Sequence, residues 1–141
     1  MTFFVTGISI QDSEITTRLN GLYGGVTPNL LTGIAARESS YRQFVQRTLF
    51  TFAGLWPNES YDGGSHVGLM QMPINQPHAW NWLANTQNAA TLFNAKLATA
   101  RRLATRIINA HAGLPQPTAL QIENMALVLY GPHASASLSE Q

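Results

Sequence analysis

The spacing of apolar residues along the chain predicts a mainly helical protein. A short helix is predicted over Gln11 to Leu22, where Gly24-Gly25 ends it, and a second helix opens after Thr27. A long helix is predicted from about Thr86 to Ala110, because apolar residues recur there at steps of three and four. That stripe consists of Phe93, Leu97, Ala100, Ala104 and Ile107.

The last predicted helix, Thr118 to Tyr130, is apolar nearly all round, which is typical of a helix buried at the centre of a domain. Gly131-Pro132 ends it, and we expect the small, polar tail from His133 to Gln141 to be loose. The stretch Thr48 to Pro73 is different, since it is rich in aromatic residues, Gly and Pro. It predicts a hairpin or an irregular loop that forms one wall of a cleft.

A carboxylate interrupts the apolar arc of the second helix. Thr27 is the predicted cap of this helix and Pro28 its first residue. Glu38 falls in the middle of the arc, and a buried carboxylate is costly unless it is paired or protonated. Such a setting favours the protonated form that a general acid needs. The residues leave open a second interpretation, in which the helix ends at Arg37 and Glu38 lies on an exposed turn. The arc consists of Leu30, Leu31, Ile34, Ala35, Tyr41 and Val45.

Composition narrows the classes of protein that fit. The 141 residues predict one domain over residues 1–141, with its core from about 11 to 132. Eight basic and seven acidic side chains, without a basic run, make nucleic acid a poor partner. The absence of cysteine from the sequence excludes disulfides, thiolate metal sites and a cysteine nucleophile. Since His78 and His111 lack partners at metal-ligand spacing, we predict no metal and no other cofactor.

The N-terminus predicts no classical export signal. Met1 to Gly7 lacks the basic and apolar regions of a signal peptide. No apolar stretch in the sequence reaches the length of a membrane span. We therefore expect a protein made in the cytoplasm, which a route other than a cleaved signal carries to any target outside it.

Three motifs occur in a fixed order along the chain: Glu38-Ser39, then Gly68-Leu69-Met70-Gln71-Met72-Pro73, then a helix ending in Tyr130-Gly131. Together they resemble the lysozyme-like superfamily, specifically goose-type lysozymes and soluble lytic transglycosylases. The resemblance runs from about Thr27 to Tyr130. It implies an α+β lysozyme-like fold, mainly α, and cleavage of the β-1,4 bond between MurNAc and GlcNAc in peptidoglycan.

The resemblance also implies roles for two carboxylates. Glu38 is the expected general acid. Asp62 lies six residues before Gly68, the spacing of an aspartate in goose-type lysozymes, and is the predicted base. An inverting hydrolase holds such a pair roughly 6.5–9.5 Å apart, with water between them. Asp62 could instead simply form the Asp-Gly turn.

Other features depart from the goose-type pattern. Pro73 stands shortly after Gln71, where many goose-type lysozymes carry a second aspartate, and this is closer to the transglycosylases, which need only one glutamate. Gly131-Pro132-His133 replaces the usual Asn-Ala-Gly after the tyrosine. The stretch between Glu38 and Gly68 is also longer than in goose-type lysozymes, with an insertion around Phe50 to Asn58. Hydrolysis is the favoured reaction because of Asp62, and the lyase reaction is the alternative.

The resemblance assigns substrate contacts to further residues. Gln71 is expected to contact sugar or to orient Glu38, Ser39 to support Glu38, and Tyr130 to point towards Glu38. Tyr61 and His66 lie near the second motif and, like Trp56, could stack on sugar faces. Each has a plainer interpretation as packing, and Gln71 could be the polar edge of a core strand.

The expected partners are peptidoglycan glycan strands. Without a signal peptide, the enzyme could be delivered to the cell wall by a phage lysis apparatus or as an interbacterial toxin. A toxin would imply an immunity protein that occupies the cleft. A non-catalytic glycan-binding module on the same fold is the alternative from another class, and chitin is a lesser alternative substrate.

Overall fold

The described residues form five helices and two small antiparallel hairpins. They are residues 5–49, 51–61 and 63–131 of a computed structural model. The helices are α1 Asp12–Leu22, α2 Leu30–Ser39, α3 Gln76–Trp80, α4 Trp82–Ala110 and α5 Ala119–Tyr130. The strands are β1 Phe44–Leu49, β2 Phe52–Pro57, β3 His66–Val67 and β4 Met72–Pro73. A mainly helical chain with some β-structure is therefore confirmed, whereas the lysozyme-like arrangement stays a prediction. In the described ranges no helix has both the length and the apolar character to span a membrane.

The chain divides into two compact units. The first unit contains the described residues up to Tyr23 together with Asn29–Ala89. The second contains Gly24–Pro28 and the described residues from Ala90 onwards. Helix α4 contributes its first turns to the first unit and the remainder to the second. The single domain stays a prediction, and the tail from His133 to Gln141 lies outside the described residues.

Helices α1 and α2 supply much of the buried core of the first unit. Helix α1 matches its predicted bounds and buries Ile15 and Leu19 completely. Helix α2 buries Leu31 and Ala35 on one face. Polar bonds join the two helices, since the Thr32 hydroxyl donates to the side chain of Asn20, in α1, at 2.9 Å.

Both ends of α2 differ from their predictions. The expected start at Thr27 and Pro28 is wrong, because the cap is Asn29 in a left-handed conformation with φ 56°. Asparagine tolerates this conformation better than most residues. The helix ends before Tyr41 and Val45, the last residues of the predicted arc, because Ser40 terminates it in a left-handed conformation with φ 51°.

The irregular stretch contains the predicted hairpin. Strands β1 and β2 pair antiparallel, with Phe44 opposite Pro57 and Leu49 opposite Phe52. This hairpin covers most of the stretch around 50–58, which the sequence resemblance predicts to be an insertion, although Phe50 itself lies outside the described residues. A shorter hairpin pairs β3 with β4, so that Val67 is opposite Met72. Its function as a cleft wall stays a prediction.

In the second unit, the stripe of α4 is buried only in part. Phe93, Leu97, Ala100 and Ala104 are buried, but Ile107 is 48% exposed. Helix α5 has Thr118 as its cap, and its side chain accepts the N–H of Gln121. The prediction that α5 is buried all round is wrong, since Leu120 is 46% and Val128 53% exposed. In the described part of this unit α5 is covered mainly on the face of Ile122 and Ala126, which leaves its other side open.

A buried carboxylate of α5 fixes the segment that precedes α2. Glu123 is 2% exposed, and its two oxygens accept the backbone N–H groups of Val26 at 3.0 Å and Thr27 at 2.9 Å. Val26 and Thr27 are thereby attached to α5 through a buried carboxylate. The contact spans more than ninety residues of sequence, so local helix signals do not reveal it.

We expect Glu123→Ala to lower the free energy of unfolding by about 2–3 kcal/mol, because two charge-assisted hydrogen bonds are lost. Glu123→Gln keeps the shape and one carbonyl oxygen, so we expect about half that loss. Urea denaturation followed by circular dichroism measures both. The exposed neighbour offers a control, Asn124→Ala, which should stay within about 0.5 kcal/mol of the unchanged protein. A loss for Glu123→Ala no larger than that of the control would contradict this role.

Candidate active site

Glu38 lies in the last turn of α2, on the side of the helix that faces the core. Leu31 and Ala35, seven and three residues before it, are buried on that side. The Glu38 side chain itself is partly exposed. The helix continues through Glu38 to Ser39, so the interpretation that ended it at Arg37 is wrong. This position lets one carboxylate combine a fixed backbone with access to solvent.

Ser39 attaches the end of α2 to the second motif. Its hydroxyl donates to the backbone carbonyl of Leu69 at 2.7 Å and accepts the N–H of Arg42 at 3.1 Å. It also lies 3.2 Å from the carbonyl of Ala35, one turn earlier. The Ser39 hydroxyl therefore connects the end of the helix that carries Glu38 to the segment Gly68-Leu69-Met70-Gln71. Support of Glu38 by Ser39, and contact of Ser39 with substrate, stay predictions.

The Gly68 to Gln71 segment is a tight turn between β3 and β4. Gly68 has φ 84°, and its carbonyl accepts the N–H of Gln71 at 3.2 Å. Leu69 and Met70, in the middle of the turn, are almost completely buried. Gln71 therefore belongs to a turn, and its plainer interpretation as the edge of a core strand is wrong.

Gln71 itself holds a left-handed backbone with φ 49°. Such a conformation costs a residue other than glycine of order 1–3 kcal/mol. The side-chain amide of Gln71 donates to the carbonyl of Gly68 at 2.8 Å and to that of Asn58 at 3.1 Å, which offsets this cost. The Gln71 amide nitrogen thus positions the turn, while contact of Gln71 with sugar or with Glu38 stays a prediction.

A buried glutamine outside the motifs holds one side of the turn. Gln43 is 2% exposed, and its amide oxygen accepts the N–H of Leu69 at 2.9 Å. Its amide nitrogen donates to the carbonyls of His78 at 2.8 Å and Ala79 at 2.9 Å. Both N–H donors and the oxygen of this side chain are therefore used to connect the turn with α3.

A buried asparagine holds the other side in the same way. Asn85, in the first turn of α4, is completely buried, and its amide oxygen accepts the N–H of Met70 at 2.8 Å. Its amide nitrogen donates to the carbonyls of Val67 at 2.8 Å and His78 at 3.0 Å. Helix α4 is thereby fixed to the turn that carries Gln71.

The remaining predicted residues fall in three different settings. Asp62, the predicted base, lies outside the described residues. Tyr61 is fully exposed, and His66 is partly buried in β3, where its Nδ1 lies 2.9 Å from the Ser65 hydroxyl. Sugar stacking by Tyr61 and His66 stays a prediction.

Tyr130 belongs to the second unit, at the end of α5. Its ring meets Phe93 edge-on, with centroids 5.8 Å apart. This contact fits the interpretation of Tyr130 as a packing residue within that unit. An orientation towards Glu38 stays a prediction.

Glu59 carries a carboxylate near the second motif, to which the sequence patterns assign no role. This residue follows the β1–β2 hairpin and forms an isolated antiparallel bridge with Val67, directly before the second motif. Its carboxylate lies 3.4 Å from the guanidinium of Arg47, and both side chains are nearly half exposed. Only its position between the hairpin and the glycine motif could have drawn attention to it.

The described residues bring no metal ligands together. In these ranges no group of three or more His, Asp or Glu side chains could hold a metal ion. The ring nitrogens of His78 take other partners: Nδ1 donates to the carbonyl of Pro73 at 2.7 Å, and Nε2 accepts from the amide of Asn88 at 2.6 Å.

Comparison of the chain with protein-family models, with curated proteins and with solved structures finds no match.

The turn leaves no room for a side chain at Gly68. A Cβ there would collide with the Asn85 amide and lie 2.7 Å from both amide atoms of Gln43, at a φ that other residues rarely adopt. We expect Gly68→Ala to lower the free energy of unfolding by about 2–4 kcal/mol, measured by urea denaturation.

Gly33 is the matched control, because it lies in α2 with open space around its Cβ position. Gly33→Ala should raise the free energy of unfolding by about 0.5–1 kcal/mol. If Gly68→Ala were tolerated as well as Gly33→Ala, the packing of the two amides around the turn would be wrong.

Proposed function

We propose that this chain is a peptidoglycan glycoside hydrolase that cleaves the β-1,4 bond between MurNAc and GlcNAc. The 2.7 Å bond from the Ser39 hydroxyl to the Leu69 carbonyl carries the proposal. It joins the Glu-Ser helix end to the Gly-Leu-Met-Gln turn, two motifs that lie thirty residues apart in sequence. Direct attachment of an acid-bearing helix to such a turn supports a shared site.

Backbone strain in and beside the two motifs supports a functional role for these segments. Four described residues other than glycine have positive φ. Two of them, Ser40 and Tyr41, directly follow the first motif, and Gln71 lies within the second. Strained conformations of this kind cost free energy and are found preferentially at active sites. The buried amides of Gln43 and Asn85 supply hydrogen bonds that hold the strained turn in place.

In the proposed reaction, Glu38 donates its proton to the glycosidic oxygen as the bond to the anomeric carbon breaks. A water molecule attacks that carbon from the opposite face, and its proton passes to the Asp62 carboxylate. The products are a new hydroxyl on the leaving sugar and a hemiacetal reducing end. Asp62 lies between Tyr61 and Gly63, two exposed residues.

The alternative is the lyase reaction of a lytic transglycosylase. There the 6-hydroxyl of the MurNAc sugar attacks in place of water, and one glutamate acts first as acid and then as base. The observation that favours the lyase reaction is Pro73, two residues after Gln71. Only the hydrolase gains water in its product, so the two reactions differ in product mass.

We expect Glu38→Gln to lower the rate of fragment release from purified peptidoglycan by about 10²- to 10⁴-fold, since the amide cannot donate the proton. Mass spectrometry of the soluble fragments measures both rate and product. Circular dichroism should show an unchanged fold, because the substitution keeps the shape of the side chain.

Glu14→Gln is the matched control for this substitution. Glu14 is exposed in α1, and glutamine can replace it in accepting the N–H of Gln11. An active Glu38→Gln enzyme would disprove the proposed acid. If the unchanged, folded protein bound peptidoglycan but released no fragments, the non-catalytic glycan-binding module would be the better interpretation.

Asp62→Asn separates the two reactions. Hydrolysis should fall by about 10²-fold or more when the base is removed, whereas a transglycosylase should keep its rate. The control is Asp12→Asn, at an exposed aspartate in the first turn of α1. Release of 1,6-anhydro fragments by both variants at equal rates would replace hydrolysis with the lyase reaction and reduce Asp62 to a turn residue.

A further inference from the structure

A pocket beside the β1–β2 hairpin is separate from the residues assigned to the reaction. It lies in the first unit and has a volume of about 390 Å³. This is at the lower end of the roughly 300–1,000 Å³ typical of small-ligand sites. The pocket therefore suits a single ring-sized group rather than an extended chain. The residues that matter for its chemistry are Arg47, Trp56, Glu59, Asn75, Gln76 and Trp80.

Two indole rings form the apolar side of this pocket. Trp56, in β2, and Trp80, at the end of α3, meet edge-on with centroids 6.3 Å apart. Phe44 packs against Trp80 at 6.0 Å and supports it from the hairpin. Both indoles are only partly buried, so part of their surface stays open. Aromatic surfaces of this kind pack well against the C–H faces of a pyranose ring.

One indole also carries a polar atom that lacks a partner. Trp56 Nε1 is buried, and among the described residues it has no hydrogen-bond acceptor. A buried donor without an acceptor is destabilising, and an oxygen-rich ligand that reaches it would recover that loss.

The rim of the pocket is polar but balanced in charge. The Arg47 guanidinium and the Glu59 carboxylate lie 3.4 Å apart, with 43% and 45% of their side chains exposed. Asn75 and Gln76 add two exposed amides. Guanidinium donates, carboxylate accepts and amides do both, which matches hydroxyl groups. Because the two charges cancel, the rim favours a neutral ligand over an anionic peptide.

We propose that this pocket binds one neutral pyranose ring of a glycan strand. The choice of a glycan as ligand rests on the proposed function, whereas the size, the aromatic walls and the neutral rim come from the pocket itself. The β1–β2 hairpin contributes Arg47 and Trp56 to this proposed glycan contact, and α3 contributes Trp80.

The chain's three tryptophans allow a direct test. Trp56 and Trp80 line the pocket, whereas Trp82, two residues further on, does not. The Glu38→Gln protein is titrated with the N-acetylglucosamine tetramer, and the three indole N–H signals are followed by ¹H–¹⁵N NMR. We expect the Trp56 and Trp80 signals to shift together and to saturate, with little change at Trp82.

Affinity measured by calorimetry in the same protein gives the second readout. Trp80→Ala should weaken tetramer binding by about tenfold, which corresponds to the loss of one aromatic wall. Trp82→Ala is the matched control and should change affinity less than twofold. The NMR readout needs no pocket substitution, so it decides even if Trp80→Ala does not fold.

The outcomes separate this proposal from the proposed function. If the protein cleaves peptidoglycan but the Trp56 and Trp80 signals do not shift, sugar binding in the pocket is contradicted and the proposed hydrolase activity is supported. Saturable shifts without cleavage by the unchanged protein would support the pocket and remove the hydrolase. Shifts caused by a soluble stem peptide and not by the tetramer would overturn the assignment of a neutral sugar.

Discussion

Two buried amides, Gln43 and Asn85, hold the turn on which the arrangement of the site depends. Their oxygens accept the N–H groups of Leu69 and Met70, and their nitrogens bind carbonyls of α3 and β3. Since both amides are buried, breaking one of these hydrogen bonds leaves a buried polar group unsatisfied. The turn, α3 and the start of α4 therefore form one hydrogen-bonded unit, to which Ser39 attaches the helix that carries Glu38.

This network explains why strain is concentrated around the motifs. Gly68 needs a positive φ and an absent side chain so that both amides can approach the backbone. The left-handed backbone of Gln71 is strained, and the side chain of the same residue stabilises it by donating a hydrogen bond to the Gly68 carbonyl. A catalytic group gains from such preorganisation, because its position is fixed before substrate arrives. The same rigid frame borders the pocket of Trp56 and Trp80, since Val67 and Ala79 contribute to its lining.

Local signals predicted most helices but not the contacts that position them. The start of α5 followed from Thr118, and the stripe of α4 followed from its apolar spacing as far as Ala104. Asn81, which caps α4 by accepting the N–H groups of Leu83 and Ala84, could have revealed its earlier start. The predicted Thr27 cap was wrong, since the helix is capped at Asn29, and the contact of Thr27 with the distant Glu123 has no local signal in the sequence. The sequence did not predict the roles of Gln43 and Asn85, because a single amide residue produces no periodic pattern. Its hydrogen bonds form only when the turn is folded.

We propose that the chain catalyses the attack of water on a glycosidic bond. Digestion of purified peptidoglycan in oxygen-18 water tests it most directly, with mass spectrometry of the released fragments. Hydrolysis predicts one heavy oxygen at each new reducing end. Unlabelled fragments with 1,6-anhydro ends, or no fragments from the folded protein, would contradict it.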